Sequence, residues 1–118
     1  MLDTIMLMII LTGGGAEPVD ASFIEVTNVA ECEERAARAV AVFPQAGITY
    51  VGHYCANSTK EFEFFPHNDK PVGTKYYMEL NFSADRKDLI SVNSHKSMEA
   101  CEKAKGGTCV LTCQKVLN

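Results

Sequence analysis

Cysteines are the residues of this chain whose possible chemistry depends most on spacing, and the 118 residues include Cys32, Cys55, Cys101, Cys109 and Cys113. Structural zinc sites use two closely spaced pairs of ligands, and only Cys109 and Cys113 are close enough to form one. A thioredoxin-like site needs C-x-x-C at the start of a helix, a motif that this sequence lacks. The cysteines therefore predict a disulfide framework, with no metal and no other cofactor.

Strand and helix geometry predicts how these cysteines pair. A strand that returns antiparallel to a helix brings its far end under the helix N-terminus, so Cys32 can meet Cys55. From Cys101 to the end of the second helix, the chain advances ~6 Å along the helix axis. The strand that follows runs back in the opposite direction, by ~7 Å at Cys109 and by ~20 Å at Cys113. Because the helix and strand distances nearly match at Cys109, the geometry favours a bond between Cys101 and Cys109. An internal repeat instead favours Cys113, which is either the leftover thiol or the alternative partner of Cys101.

The most polar segment of the chain is a candidate binding loop. Prolines stand at both ends of segment 66–71, and between them lie His67, Asn68, Asp69 and Lys70. Such a restricted polar loop can present a recognition tip. The three histidines are dispersed over different segments, and no nucleophile elbow, P-loop or HExxH motif occurs. We therefore expect no catalytic residues and no enzymatic activity.

Two helices must position the cysteines. Asn28 is a suitable N-cap with Glu31 three residues later, and Pro44 and Gly47 end this first helix. Ser97 is the second N-cap. The apolar positions of the first helix are Val29, Cys32, Ala36, Ala39, Val40 and Phe43, whereas Glu31, Glu33, Glu34, Arg35 and Arg38 form a solvated face. Alternation or β-branched content predicts strands at 23–26, 48–55, 61–65, 76–82, 89–92 and 108–116.

These elements form a weak internal repeat that predicts the fold class. Each half has a strand, an N-cap, a helix whose cysteine stands four residues after the cap, and a cysteine-bearing strand. Two such units predict an α+β fold, with a small antiparallel sheet and two helices on one face. The order corresponds to a split β-α-β (ferredoxin-like) arrangement with an inserted hairpin, formed by 61–65 and 76–82. In 76–82, the alternate residues Tyr76, Met78, Leu80 and Phe82 are expected to share the buried face.

The apolar run Ile5–Leu11 requires its own interpretation. Its seven residues are far fewer than the ~20 that span a membrane as a helix. Small residues follow, allowing cleavage of a secretory signal after Ala16 or Ala21, although no Lys or Arg precedes the run. The alternative is a buried first strand or a packing arm. We therefore divide the chain into a signal-like or packing segment at 1–21 and one disulfide-stabilised domain at 22–118.

Composition limits the function classes. Apolar residues make up 47% of the chain and charged residues 22%, which is typical of one globular domain. A net charge of −4 argues against nucleic-acid binding. We expect a non-catalytic module, exported to the periplasm, the extracellular space or a particle surface such as a virion, that binds proteins or assembles through a sheet edge or its arm. The alternatives are an extracytoplasmic enzyme inhibitor and a thiol-dependent redox factor.

Overall fold

The computed structural model describes residues 4–13, 18–63, 75–104 and 106–117. This part of the chain contains six strands, two α-helices and a short 3-10 helix at Pro44–Ala46. In chain order the elements are β1 (Ile5–Gly13), β2 (Val19–Val26), α1 (Val29–Val42), β3 (Tyr50–Ser58), β4 (Tyr76–Phe82), β5 (Asp88–His95), α2 (Met98–Ala104) and β6 (Thr108–Thr112).

The strands form a closed mixed barrel in the order β1-β2-β6-β4-β5-β3. Pairs β2/β6 and β3/β5 are parallel, and the other four neighbouring pairs are antiparallel. The predicted small antiparallel sheet with a ferredoxin-like order is therefore wrong. Strand β1 comes from the segment that the sequence predicts to be a signal or packing arm, so the first half of the chain has three strands. The parallel pairs β2/β6 and β3/β5 then join the two halves and close the barrel.

The predicted hairpin between 61–65 and 76–82 is also replaced by other pairings. Phe62 forms an isolated bridge with Val116, and β4 pairs with β5 and β6. Residues 64–74 lie outside the described part of the chain. Because β4 lies between two antiparallel neighbours, it is the central strand of the second half, as β1 is of the first.

The two halves have the same ββαβ topology, which extends the repeat seen in the sequence. Met8 of β1 lies opposite Ile24 on one side and Cys55 on the other. Glu79 of β4 takes the corresponding place, opposite Asn93 and Cys109. The register thus makes Met8 and Glu79 equivalent positions, each next to the cysteine of its third strand.

The hydrophobic core lies inside the barrel. Met78 and Leu80 are buried there and Tyr76 and Phe82 pack against them, so the predicted inward face of β4 is confirmed. The buried residues of this cluster are Leu7, Ile9, Leu11, Ala21, Phe23, Ala56, Met78, Leu80, Leu89 and Val110. Side chains fill the interior, as is typical of small barrels.

Helix α1 packs on the outer surface of the barrel. The capping residues behave as the sequence predicts: the Glu31 backbone N–H donates to Asn28 Oδ1 at 2.8 Å, and the Thr27 N–H donates to Glu31 Oε1 at 2.9 Å. At α2, the Ala100 N–H donates to Ser97 Oγ at 3.0 Å. A second apolar cluster under α1 contains Met8, Ile10, Val26, Cys32 and Ala36.

Strand β1 shows what the apolar run does in this fold. Residues 7–11 are all buried, because β1 contacts the barrel core on one face and α1 on the other. This matches the alternative interpretation as a buried first strand, and the predicted boundary at residues 21 and 22 falls inside β2. Neither described helix is long and apolar enough to cross a membrane.

Candidate functional site

Two disulfides tie the helices to the barrel, and the predicted presence of disulfide bonds is confirmed. Cys32 is joined to Cys55, 23 residues later, with a Cα–Cα distance of 5.9 Å. Cys101 is joined to Cys109, eight residues later, with a Cα–Cα distance of 6.0 Å. Cys32 with Cys55 is the pair expected from the strand that returns beneath the first helix, and Cys101 with Cys109 is the pair favoured by the distances along the second helix and its strand. Cys113 lies outside both bonds.

Each disulfide joins the first turn of a helix to the third strand of its half. Cys32 and Cys101 are both the fourth residue of their helices, and their exposed fractions are 0% and 1%. Their partners in β3 and β6 are half-buried. In this form the bonds fix α1 and α2 against the barrel.

A half-open pocket of about 460 Å³, which we call the α1 pocket, lies between the second half of α1 and the outer surface of β1 and β2. Its apolar wall includes Met8, Ile10, Ile24, Ala39, Phe43 and Ile48. Met8 and Ile10 alternate with the inward-facing residues of β1, so this strand is apolar on both faces. That double-sided pattern supplies both the core and the pocket floor.

Among the described residues, the charged side chains that line the α1 pocket are Asp20, Arg35 and Lys75. Lys75 Nζ lies 3.0 Å from Asp20 Oδ1, so these two charges compensate each other. Arg35 also lines the pocket and makes no ion pair with a described residue, whereas Arg38 pairs with Glu34 at 3.5 Å. The pocket therefore carries an excess positive charge. The sequence predicts Arg35 on a solvated face, whereas in the structure it is half-buried and lines the pocket.

Exposed apolar side chains continue from the α1 pocket along the chain. We call this set the apolar rim, formed by Val42, Ile48, Tyr50 and Val51 with exposed fractions of 54%, 41%, 36% and 47%. Ile48 itself lines the pocket, and the Tyr50 ring centroid lies 6.4 Å from that of Phe43. Exposed apolar side chains that adjoin an apolar pocket in this way are typical of an interaction surface.

A polar cluster lies at the other end of α1, beside the first disulfide. His53 Nε2 is 2.5 Å from Glu33 Oε1, and His53 Nδ1 is 2.6 Å from Tyr50 Oη. Cys55 Sγ lies 3.5 Å from the same Glu33 oxygen. The sequence contained a signal for this cluster, because His53 and Cys55 share one strand face and Glu33 follows Cys32 directly.

The second half holds a different polar pair. Glu79 Oε1 lies 3.0 Å from His95 Nε2, and the Glu79 residue is 5% exposed. The hydrogen bond with His95 lowers the pKa of Glu79, burial opposes this shift, and hydrogen bonds with Asn93 and Asn81 lower the pKa further. Neither His95 nor His53 is hydrogen-bonded to a serine, threonine or thiol among the described residues.

The remaining predicted site residues fall into two groups. The candidate loop residues His67, Asn68, Asp69 and Lys70 lie outside the described residues. Cys113 is half-buried and lines the α1 pocket. Of the predicted site residues outside the two disulfides, only Cys113 therefore contacts a candidate site among the described residues.

No protein-family model matches the chain, and no curated protein or solved structure matches it either.

Proposed function

We propose that this protein is a small, disulfide-stabilised, non-catalytic module that binds another protein through the α1 pocket. The observation that carries the proposal is a half-open apolar pocket of about 460 Å³ with the basic side chain of Arg35 in its wall. This volume lies within the range of roughly 300–1,000 Å³ that ligand sites occupy. The apolar wall and the positive charge together define what the pocket would accept.

The chemistry favours a partner segment that carries a bulky apolar side chain next to an aspartate or glutamate. The apolar side chain would contact Phe43 and Ile48, and the carboxylate would accept hydrogen bonds from the Arg35 guanidinium. A protein partner would also cover the apolar rim, which extends beyond the pocket. A small ligand confined to the pocket would leave that rim in water.

Other observations support the remaining parts of the proposal. The described histidines contact carboxylates and the Tyr50 hydroxyl, and neither His53 nor His95 is hydrogen-bonded to a described serine, threonine or thiol that could act as a nucleophile. Disulfides persist in oxidising compartments, which favours a protein exported to the periplasm, the extracellular space or a particle surface. Because the described strands close into a barrel, the contact surface would be the α1 pocket and not a sheet edge.

The experiment uses the oxidised full-length protein as bait for a displayed library of random peptides. We expect enrichment of peptides with a large apolar residue adjacent to Asp or Glu. An enriched peptide is then titrated calorimetrically against the wild type, Arg35→Glu and Arg38→Glu. Arg38 provides a matched control, since it lies on the same helix and its side chain is 70% exposed. We expect at least about tenfold weaker binding for Arg35→Glu only, equivalent to ~1.4 kcal/mol.

Several results would count against this function. Failure to enrich any peptide, or equal affinity for the wild type and Arg35→Glu, would remove the proposed contact. Equal losses in both charge-reversal variants would indicate a non-specific effect of charge. Tight binding of a probe such as decanoate without any selected peptide would indicate a carrier of small amphipathic molecules instead.

A further inference from the structure

We propose that the dithiol form of this protein binds a divalent transition metal, of which Zn²⁺ is the best fit, through Glu33, His53 and Cys55. One ligand atom from each residue lies within 4.8 Å of the other two. In the present form Cys55 is bonded to Cys32, so its sulfur becomes a thiolate ligand only after that disulfide is reduced. The site is separate from the α1 pocket and does not depend on the proposed function.

The fold brings these three ligands together for simple reasons. His53 and Cys55 are two residues apart in β3, so both side chains point to the same face. Glu33 follows Cys32 in the first turn of α1, where the Asn28 cap fixes the start of the helix. Zinc bound tetrahedrally at 2.0–2.3 Å spaces its ligand atoms about 3.3–3.8 Å apart. The Glu33 to Cys55 distance of 3.5 Å already fits, and the His53 to Glu33 contact needs to open by about 1 Å.

Tyr50 acts as a positioning residue for the His53 ring. Its hydroxyl lies 2.6 Å from Nδ1. Without metal, the Nε2–H donates to Glu33; a metal at Nε2 takes the place of that proton and uses the tautomer in which Nδ1–H donates to the Tyr50 hydroxyl oxygen. Metal-binding histidines commonly donate their other ring N–H to such an outer partner, which fixes both tautomer and orientation. The cluster therefore supplies an oriented imidazole as well as a carboxylate and a sulfur.

The site is open to solvent on one side. A cavity of about 380 Å³ is lined by Glu33, His53 and Cys55, with the charged residues Asp85, Arg86 and Lys87 also in its wall. Cys32 is 0% exposed and is not among the residues that line this cavity. The fourth coordination position is consequently left for water or an anion, as in zinc sites with three protein ligands.

The chemistry requires a thiol or phosphine reductant. Two thiols of the reductant are oxidised to a disulfide, and their two electrons and two protons convert the Cys32–Cys55 bond into two thiols. A phosphine instead supplies the two electrons and becomes a phosphine oxide, and one water molecule provides its oxygen and the two protons. The metal then binds Glu33, His53 and Cys55, and the Cys55 thiol releases its proton. Reoxidation would remove the thiolate ligand and release the metal.

The second half of the molecule provides an internal control. Its disulfide also joins a helix to a strand, and Glu102 follows Cys101 as Glu33 follows Cys32. Two residues before Cys109, however, stands Gly107, at the position equivalent to His53. The second dithiol therefore has no imidazole at that strand position. Among the described residues, the Glu79–His95 pair does not form a cluster of close ligand atoms with Cys109 as Glu33, His53 and Cys55 do, so the second half should not form this site.

The test uses the full chain in a Cys113→Ser background, reduced with a phosphine and titrated with Co²⁺. We expect one Co²⁺ per chain, with tetrahedral d–d bands and a thiolate-to-cobalt charge-transfer band, and displacement by Zn²⁺. His53→Ala should abolish the site, whereas a Cys101→Ala/Cys109→Ala variant should keep it. Tyr50→Phe should weaken affinity by about 10–100-fold with the spectrum unchanged, as expected for an outer hydrogen-bond partner.

Thermal unfolding provides a second measurement, because a metal that binds only the folded form raises its midpoint. We expect Zn²⁺ to raise the midpoint of the reduced wild type and to leave that of His53→Ala unchanged. The absence of a charge-transfer band, or the same spectrum from the oxidised protein or from His53→Ala, would overturn the proposal. A reduced protein that Zn²⁺ neither refolds nor stabilises would overturn it equally.

Discussion

The two disulfides should contribute unequally to stability because they close loops of different length. Cys32 and Cys55 are 23 residues apart, whereas Cys101 and Cys109 are eight apart. The loop-entropy relation gives ~3.4 kcal/mol for the first and ~2.5 kcal/mol for the second at 25 °C. Each pair has one fully buried sulfur, so the packing lost on replacement by alanine is similar. Removing the first disulfide should therefore cost about 0.9 kcal/mol more than removing the second.

The assay compares Cys32→Ala/Cys55→Ala with Cys101→Ala/Cys109→Ala by urea unfolding, followed by circular dichroism. Both variants are made in a Cys113→Ser background, so that no thiol can exchange with the remaining disulfide. Linear extrapolation gives the free energy of unfolding of each variant. Equal losses in the two variants, or a larger loss for the second pair, would refute the loop-length argument.

Three further predictions concern a buried side chain, the loss of stability at acid pH and the need for β1. Gln114 is fully buried, and its side chain hydrogen-bonds both the N–H and the C=O of Phe23. Gln114→Leu would leave those two backbone groups unpaired, so the free energy of unfolding measured in urea should fall by about 2–4 kcal/mol. A loss below about 1 kcal/mol would contradict this. Because its pKa is lowered, Glu79 stabilises the fold above its unfolded pKa of about 4.3 and loses that contribution as the pH falls through the lower folded value. His95→Ala should therefore make the urea midpoint depend less on pH below about 5, and an unchanged dependence would exclude this linkage. A chain that starts at residue 17 lacks β1 and should show no cooperative unfolding; a folded product would show that the barrel does not need this strand.

Local features of the fold could be predicted because short-range chemistry determines them. The capping box at Asn28 and Glu31 depends on residues within one helical turn. The pairing of Cys32 with Cys55 follows from a helix and the strand that returns beneath it. In both cases the partners belong to one supersecondary unit, so the rise per residue was enough to locate them.

The barrel could not be predicted in the same way. Its closure depends on the parallel pairs β2/β6 and β3/β5, which join strands from different halves of the chain. No local pattern specifies such pairs. Strand β1 was harder still, because a strand buried on both faces has a continuous apolar run that resembles the hydrophobic centre of a signal.

The candidate sites also combine local features, which the sequence predicts, with contacts between distant segments, which it does not. His53 and Cys55 share a strand face, which alternation alone indicates, but the contact of His53 with Glu33 requires α1 to be held over β3. Arg35 was interpreted as solvated because charged residues cover most of that helix. It lines the α1 pocket because α1 packs against β1 and β2, which form the opposite wall of that pocket.

The equivalent halves of the barrel have different outer surfaces. Where the first half has Met8 and Val26, the register places Glu79 and His95 in the second. The inward residues must stay apolar to fill the barrel, whereas the outward ones can change without disturbing it. Helix α1 has 14 residues and covers an apolar surface, and α2 has seven and lies beside a polar one.

Both proposed sites belong to the first half, and a single bond connects them. The Cys32–Cys55 disulfide holds the first turn of α1 on β3, the second half of the same helix forms a wall of the α1 pocket, and Glu33 lies in the turn that the bond fixes. Reduction followed by metal binding would replace this covalent link with a metal bridge from Glu33 to His53 and Cys55. The helix would then be held to β3 through different atoms, so protein binding at the α1 pocket would depend on both the redox state and the metal.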